Sequence, residues 1–229
     1  MISFKSLYNA YAQHPQGSWI LKPDSAITLY RFIKKNDVKN VLELGTGIGL
    51  STAVISLAIK EKSGPGPSVG YKIVTVEQFE KCHKLAQELM PPELKELVDF
   101  KLSETTLWEH PDIAATQLAN FKELPEQPEG GWDLIVVDGP GPYLDEKGRL
   151  VESPNGDVLR LISEGKLKAG TKVYFDGRLA ALGLIERFYG DNFFLLEDAS
   201  RRNVIERKDN ELKFDDYRIK TYTRSGYFN

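Results

Sequence analysis

Residues 41–52 read VLELGTGIGLST, and this stretch narrows the fold more than any other part of the chain. Val41, Leu42 and Leu44 make the apolar run of a buried strand. Gly45, Gly47 and Gly49 then make a turn, and Leu50, Val54, Leu57 and Ala58 recur at helical spacing. Glycine reaches backbone angles closed to other residues and lets a ligand approach the main chain with no Cβ in the way. The free N–H groups at the start of the helix favour an electronegative part of that ligand. Strand, glycine turn and helix in this order predict a nucleotide-type binding turn on an α/β scaffold, against the plainer reading of a structural turn. Glu43, inside the strand, is out of place in a buried run unless it meets a polar partner.

The chain has 229 residues, enough for one large domain or two small ones, and a formal net charge of −3. Lys and Arg are scattered among Asp and Glu, which argues against a nucleic-acid partner held through phosphates. The single cysteine, Cys82, excludes an internal disulfide and a thiolate zinc site. Its helical neighbours Leu85, Ala86 and Leu89 predict a small core residue. No run of about 20 apolar residues predicts a membrane span. The N-terminus lacks the basic-then-apolar order of a signal peptide, so a cytoplasmic protein is expected.

Pattern and breaker residues predict one domain over 1–229, with an N-terminal arm (1–23), a core (24–207) and a tail (208–229). The arm carries Tyr8, Tyr11, His14 and Trp19 and is expected to pack on the core. A helix should start at Pro23-Asp24-Ser25, capped by Asp24 or Ser25. A loop follows over 61–71, then a strand over 73–76 that ends in Glu77, with Gln78 beside it. Two carboxylate oxygens at the end of a second strand can accept both ribose hydroxyl protons. Further expectations are a helix over 79–89 closed by Pro91-Pro92, a strand over 98–102 followed by Ser103-Glu104, and a helix over 112–121. The histidines give little: His83 and His110 read as surface residues, and His14 alone is kept as a candidate.

Residues 132–138, WDLIVVD, form the second strong feature. Leu134 to Val137 is a continuous apolar run, as in a parallel strand buried on both faces, and it ends in Asp138. A long Gly/Pro-containing loop over 139–156, with Tyr143 and Arg149, is expected to cover the site. Asp157 is expected to cap a helix. The strand over 172–175 ends in Asp176-Gly177-Arg178, and a helix with Ala181, Leu184, Ile185 and Phe188 follows. Residues 192–196 and 203–207 read as an antiparallel pair, and the tail over 212–228 as a further edge strand.

Glu43-x-Gly45-x-Gly47-x-Gly49 resembles the first motif of the class I S-adenosylmethionine-dependent methyltransferases, and the strand-end Asp138 is similar in position to their fourth. The resemblance covers residues 24–207. It implies an α/β fold, a doubly wound, mostly parallel seven-stranded sheet of order 3-2-1-4-5-7-6 in a three-layer α/β/α sandwich. It also implies S-adenosyl-L-methionine as cofactor and methyl transfer, at oxygen, to a small-molecule or glycan acceptor. Glu43, Gly45, Thr46, Gly47 and Gly49 would hold the methionine end, Glu77 the ribose, and Ser103 and Glu104 the adenine, with Gln78 and Asp138 also binding the cofactor. Asp138 and Asp176 would be the catalytic pair.

Both aspartates fall where the distantly similar catechol-type O-methyltransferases keep magnesium ligands. Those enzymes typically follow the second Asp with Asn, whereas this chain has Gly177, so no metal ligand is assigned, and a divalent metal stays open as a further cofactor. A nicotinamide-dependent oxidoreductase and a non-catalytic binding module on the same fold stay open as alternatives. The oligomeric state is left open.

Overall fold

A computed structural model describes residues 2–17, 20–64, 68, 70–113, 117–141, 143–144, 150–151, 153–198 and 202–208. The chain begins with α1 (Phe4–Ala12) and α2 (Pro23–Lys35), then alternates β1 (Asn40–Leu44), α3 (Leu50–Ser63), β2 (Lys72–Glu77) and α4 (Glu80–Leu89). A short α5 (Pro92–Lys95) leads to β3 (Val98–Leu102) and a hairpin of β4 (Thr105–Glu109) and β5 (Gln117–Phe121). Next come β6 (Leu134–Val137), a two-residue pair β7 (Tyr143–Leu144) and β8 (Leu150–Val151), and α6 (Asp157–Ser163). The core closes with β9 (Lys172–Asp176), α7 (Leu179–Tyr189), β10 (Phe193–Asp198) and β11 (Arg202–Arg207).

The main sheet has seven strands in the order β10-β11-β9-β6-β1-β2-β3. Counting its members alone along the chain, that is the expected 3-2-1-4-5-7-6. Only β11 runs against its neighbours β9 and β10. The strand faces alternate as the pleat requires. Leu42, Leu44, Val74, Val76, Ile135 and Val137 face one apolar layer, completed by α6, α7 and Phe121 of the hairpin. Val41, Ile73, Leu134 and Val136 face the other, completed by α1, α2 and α3. α3 is buried along Leu50–Ile59 on nearly every side, a wider contact than its periodicity suggested. The Tyr174 hydroxyl on β9 donates to the Ser25 carbonyl at 3.1 Å and ties α2 to the sheet.

Several local expectations are corrected. The predicted helix over 112–121 is absent, because its described C-terminal half is β5, paired antiparallel with β4. Leu118, Ala119, Asn120 and Phe121 are all buried there, and this packing overrides a weak helical pattern. α2 has Lys22 as its N-cap and Pro23 at its first position, which suits proline's fixed φ, while Asp24 serves the first turn. Gly156, not Asp157, caps α6. Asp157 is buried, and its Oδ1 accepts the Phe121 N–H at 3.0 Å, joining α6 to β5.

Of the N-terminal arm, α1 docks on α3 through Leu7 and Tyr11 and starts with a capping box between Ser3 and Ser6. Trp19, Arg149 and the tail over 212–228 lie outside the described residues, as does the Tyr143 side chain. No helix among the described residues is long and apolar enough to cross a membrane.

Candidate functional site

Register alone assembles the site. Leu44 is level with Val76 and Val137, and Val137 with Phe175. The next residues along these strands are therefore Gly45, Glu77, Asp138 and Asp176, all at the carboxyl edge of the sheet. In open α/β sheets the ligand crevice lies outside that edge, where the strand order reverses. A cavity of 430 Å³ opens there, lined among others by Gly45, Gly47, Glu77, Gln78, Phe79 and Asp138.

The glycine turn is shaped by contacts that a side chain would block. Gly45 has φ +98°, and a Cβ on it would lie 2.5 Å from the Gly139 nitrogen. Gly49 has φ +92°, and its Cβ would press on Ala86 of α4 at 3.0 Å. Gly47, with φ +56°, donates its N–H to Glu77 Oε2 at 2.8 Å. Glu77 Oε1 accepts the N–H groups of Gln78 and Phe79, each at 2.9 Å. A carboxylate has about four acceptor positions, so Glu77 is fixed in place with capacity left for a ligand hydroxyl. Burial raises its pKa while these N–H groups oppose the shift.

Glu43 lies beneath the turn, fully buried, and is not among the residues that line the cavity. Thr52 of α3 donates to its Oε2 at 2.5 Å and Thr75 of β2 at 2.6 Å. Thr46, buried in the turn, pairs its hydroxyl with Thr75 at 2.6 Å. An unpaired buried carboxylate costs several kcal/mol. The hydroxyl pair offsets part of this, and burial raises the pKa of Glu43. Its Oε1 and the Tyr11 hydroxyl are both buried without a hydrogen-bond partner among the described residues. Burial, and secondarily the charge of Glu43, raises the pKa of Tyr11.

Asp138 lines the cavity, and Arg178 stands against it. The Arg178 Nη2 lies 3.5 Å from Asp138 Oδ1 and donates to the Asp138 carbonyl. Burial pushes the Asp138 carboxyl up to about 7; Arg178 opposes the shift, and Asp176 and Glu43 add to it. Asp176 is at the same sheet edge but is not among the lining residues. Among the described residues no group of three or more His, Cys, Asp or Glu side chains could hold a metal ion. A guanidinium already beside Asp138, with Gly177 offering no donor, does not fit a magnesium site built on these two acids.

Ser103 and Glu104 are brought near the sheet edge but not onto the cavity wall. Ser103 is buried, its oxygen accepting the Glu123 N–H at 2.9 Å, while Glu104 is exposed and pairs with Lys122 at 3.4 Å. His14 is not a lining residue either; its Nδ1 accepts the Gln16 N–H at 3.2 Å. His83 packs edge-on against Phe100. His110 is buried, contrary to expectation: its Nδ1 accepts the Asp112 N–H and its Nε2 lies 3.1 Å from the Tyr189 hydroxyl. Cys82 is half-buried on the cavity wall, not a core residue.

The sequence reading passed over Gln16, Phe79, Lys81, Phe121 and Arg178 as wall residues. Arg178 carried a usable signal, since it follows Asp176-Gly177 at a strand end. Phe79 carried another: it is an aromatic residue two positions past the ribose-type acid, and it stays 51 % exposed.

No known family model matches this chain, and no curated protein matches it in sequence. Solved structures do match in fold. The methyltransferase PaMTH1 of Podospora anserina, solved with S-adenosylhomocysteine bound, superposes with a TM-score of 0.55 at 16 % identity over 90 % of this chain and 88 % of that one. An O-methyltransferase of Bacillus cereus, also in complex with S-adenosylhomocysteine, gives 0.53 at 15 % identity over 90 % of each chain. A methyltransferase of Geobacter sulfurreducens gives 0.55 at 13 % identity over 91 % of this chain and 89 % of that one. The chain therefore has the Rossmann-like fold of the S-adenosylmethionine-dependent O-methyltransferases.

Proposed function

We propose that the protein is an S-adenosylmethionine-dependent methyltransferase that acts at an oxygen of a small-molecule acceptor. The observation that carries this is the wall of the 430 Å³ cavity, where the Gly45–Gly47 turn, the pinned Glu77 carboxylate, the exposed Phe79 ring and Asp138 meet. A carboxylate pinned by backbone N–H groups suits ribose hydroxyls, an aromatic face suits a purine, and the volume is ordinary for such a ligand. The residues fit the cofactor.

Glu77 would take the ribose hydroxyls, Phe79 would cover the adenine, and the glycine turn would admit the methionine end. Glu43, from below, would hold the turn through Thr52 and Thr75. When bound, the cofactor supplies a methyl carbon open to attack by an oxygen lone pair. The chain's own task is to align donor and acceptor and exclude water, which can contribute several kcal/mol. Asp138, on the wall of this cavity and held by Arg178, would lie near the transferred methyl group.

Calorimetry with S-adenosylhomocysteine tests the reading. One site per chain is expected, with S-adenosylmethionine competing and NAD without effect. No heat with S-adenosylhomocysteine, or equal binding of NAD, would overturn it.

A further inference from the structure

A second cavity, of 380 Å³, lies beside the first. Pro140, Gly141 and Arg178 line both, so the two cavities adjoin at these three residues. The two sides differ in charge. The first cavity carries two carboxylates, Glu77 and Asp138, together with Lys81 and the shared Arg178, whereas no carboxylate is among the described lining residues of the second. On the second, Arg178 is the one charged side chain among the described lining residues, with Ser153 and Asn155 as polar neighbours. Asp138 and Asp176 do not line it.

Arg178 is also incompletely used. Its Nη2 is engaged by Asp138, which fixes the guanidinium, while its Nε is buried with no hydrogen-bond partner among the described residues. A guanidinium offers five donors in a rigid fork and binds planar oxyanions at more than one point. Asn155 is spoken for, since its amide donates to the Gly139 carbonyl and to Asp157 Oδ2 at 3.2 Å. It holds the wall and leaves recognition to Arg178.

We propose that the second cavity is the acceptor site and that Arg178 is its anchor. It takes a small acceptor bearing an ionised oxygen, a carboxylate or an acidic hydroxyl. Arg178 then supplies the fixed positive charge that a divalent metal would otherwise bring to the acceptor, and the non-fitting metal site is explained by its presence. The cofactor then lies in the cavity that holds both carboxylates, and the anionic acceptor in the one whose single described charged side chain is the arginine. This inference rests on the methyltransferase reading.

The test uses the whole chain saturated with S-adenosylhomocysteine and titrates benzoate, para-nitrophenolate and the neutral isostere benzamide by calorimetry. At least one anion is expected to bind about tenfold or more tightly than benzamide, and the tighter of the two identifies the oxyanion class. R178Q should erase that preference and R178K should restore part of it. A180E provides a check at an exposed helix position on the same wall: its carboxylate competes for Arg178, so anion binding should fall while the thermal midpoint holds. Magnesium or EDTA should change none of these affinities.

Equal binding of benzamide, no anion binding, retained preference in R178Q, or magnesium-enhanced anion affinity would each overturn the assignment. If S-adenosylhomocysteine itself fails to bind the natural chain, the methyltransferase reading falls. If it binds and anion preference is missing, only this inference falls.

Discussion

Gly45 and Gly139 stand so close that neither can carry a side chain. A Cβ on Gly45 would sit 2.5 Å from the Gly139 nitrogen, and one on Gly139 would sit 2.6 Å from the Gly45 Cα. The ends of β1 and β6 are thereby brought together, and the glycine turn and Asp138 share one wall. Gly45→Ala adds a left-handed backbone penalty to this collision. A loss of about 3 kcal/mol is expected from the two effects together. Gly139→Ala meets the same collision without the positive φ and should cost less. Urea unfolding measures both; two variants as stable as the natural chain would show that this contact is not a constraint.

Glu77 is fixed by three backbone N–H groups, from Gly47, Gln78 and Phe79. Glu77→Gln turns an NH2 toward at least one of them. Leaving a buried donor without an acceptor costs about 1–3 kcal/mol. Stability should therefore fall, and S-adenosylhomocysteine affinity should fall at least about tenfold. Calorimetry showing unchanged affinity in a folded variant would remove Glu77 from the site.

Buried acids give the protein a distinctive pH dependence. Burial pushes the carboxyls of Asp157 and Asp138 up to about 8 and about 7. Between the unfolded value of 3.8 and those values, the folded chain holds protons that the unfolded chain has released. Stability is thus lost as pH rises through that window, by at most about 1.4 kcal/mol per pH unit for each group. Asp157→Asn keeps the shape and removes one titration, so its stability should fall less steeply between neutrality and the upper end of the Asp157 window. Denaturation at several pH values decides; an unchanged slope in Asp157→Asn would show that Asp157 does not titrate there.

Cys82 is the only cysteine and lies on the wall of the first cavity. Burial and the nearby Glu77 raise its thiol pKa, so alkylation at neutral pH should be slow. S-adenosylhomocysteine should slow it further by covering the wall, and mass spectrometry follows a single label. Equal labelling rates with and without the ligand would place the ligand elsewhere.

The parallel half of the fold was legible in the sequence because its strands are buried on both faces, and Leu134–Val137 leaves no other reading. The hairpin was not. Ala114, Leu118 and Phe121 recur at helical spacing, yet Leu118 and Phe121 are buried from a strand that adjoins α6. The run Thr105-Thr106-Leu107-Trp108, rich in β-branched and aromatic residues, was the available warning. In the site, Glu77 and Asp138 were legible because a strand-end acid needs only the strand to be placed. Glu43 was visible as an anomaly, but its Thr52 and Thr75 partners come from α3 and β2, which strand pattern alone does not bring together. Arg178 was missed because its importance depends on β6 and β9 being neighbours.

The three residues shared by the two cavities, Pro140, Gly141 and Arg178, have a thermodynamic corollary. A molecule that presses on them from one cavity changes the surface offered to the other, and Gln78 braces them by accepting the Gly141 N–H at 2.9 Å. Two ligands that meet through shared residues have a coupling free energy, and coupling is reciprocal. The factor by which the first occupant alters the affinity of the second is the factor by which the second alters the first. Order of addition would then affect the rates of assembly of the ternary complex and leave its final population unchanged.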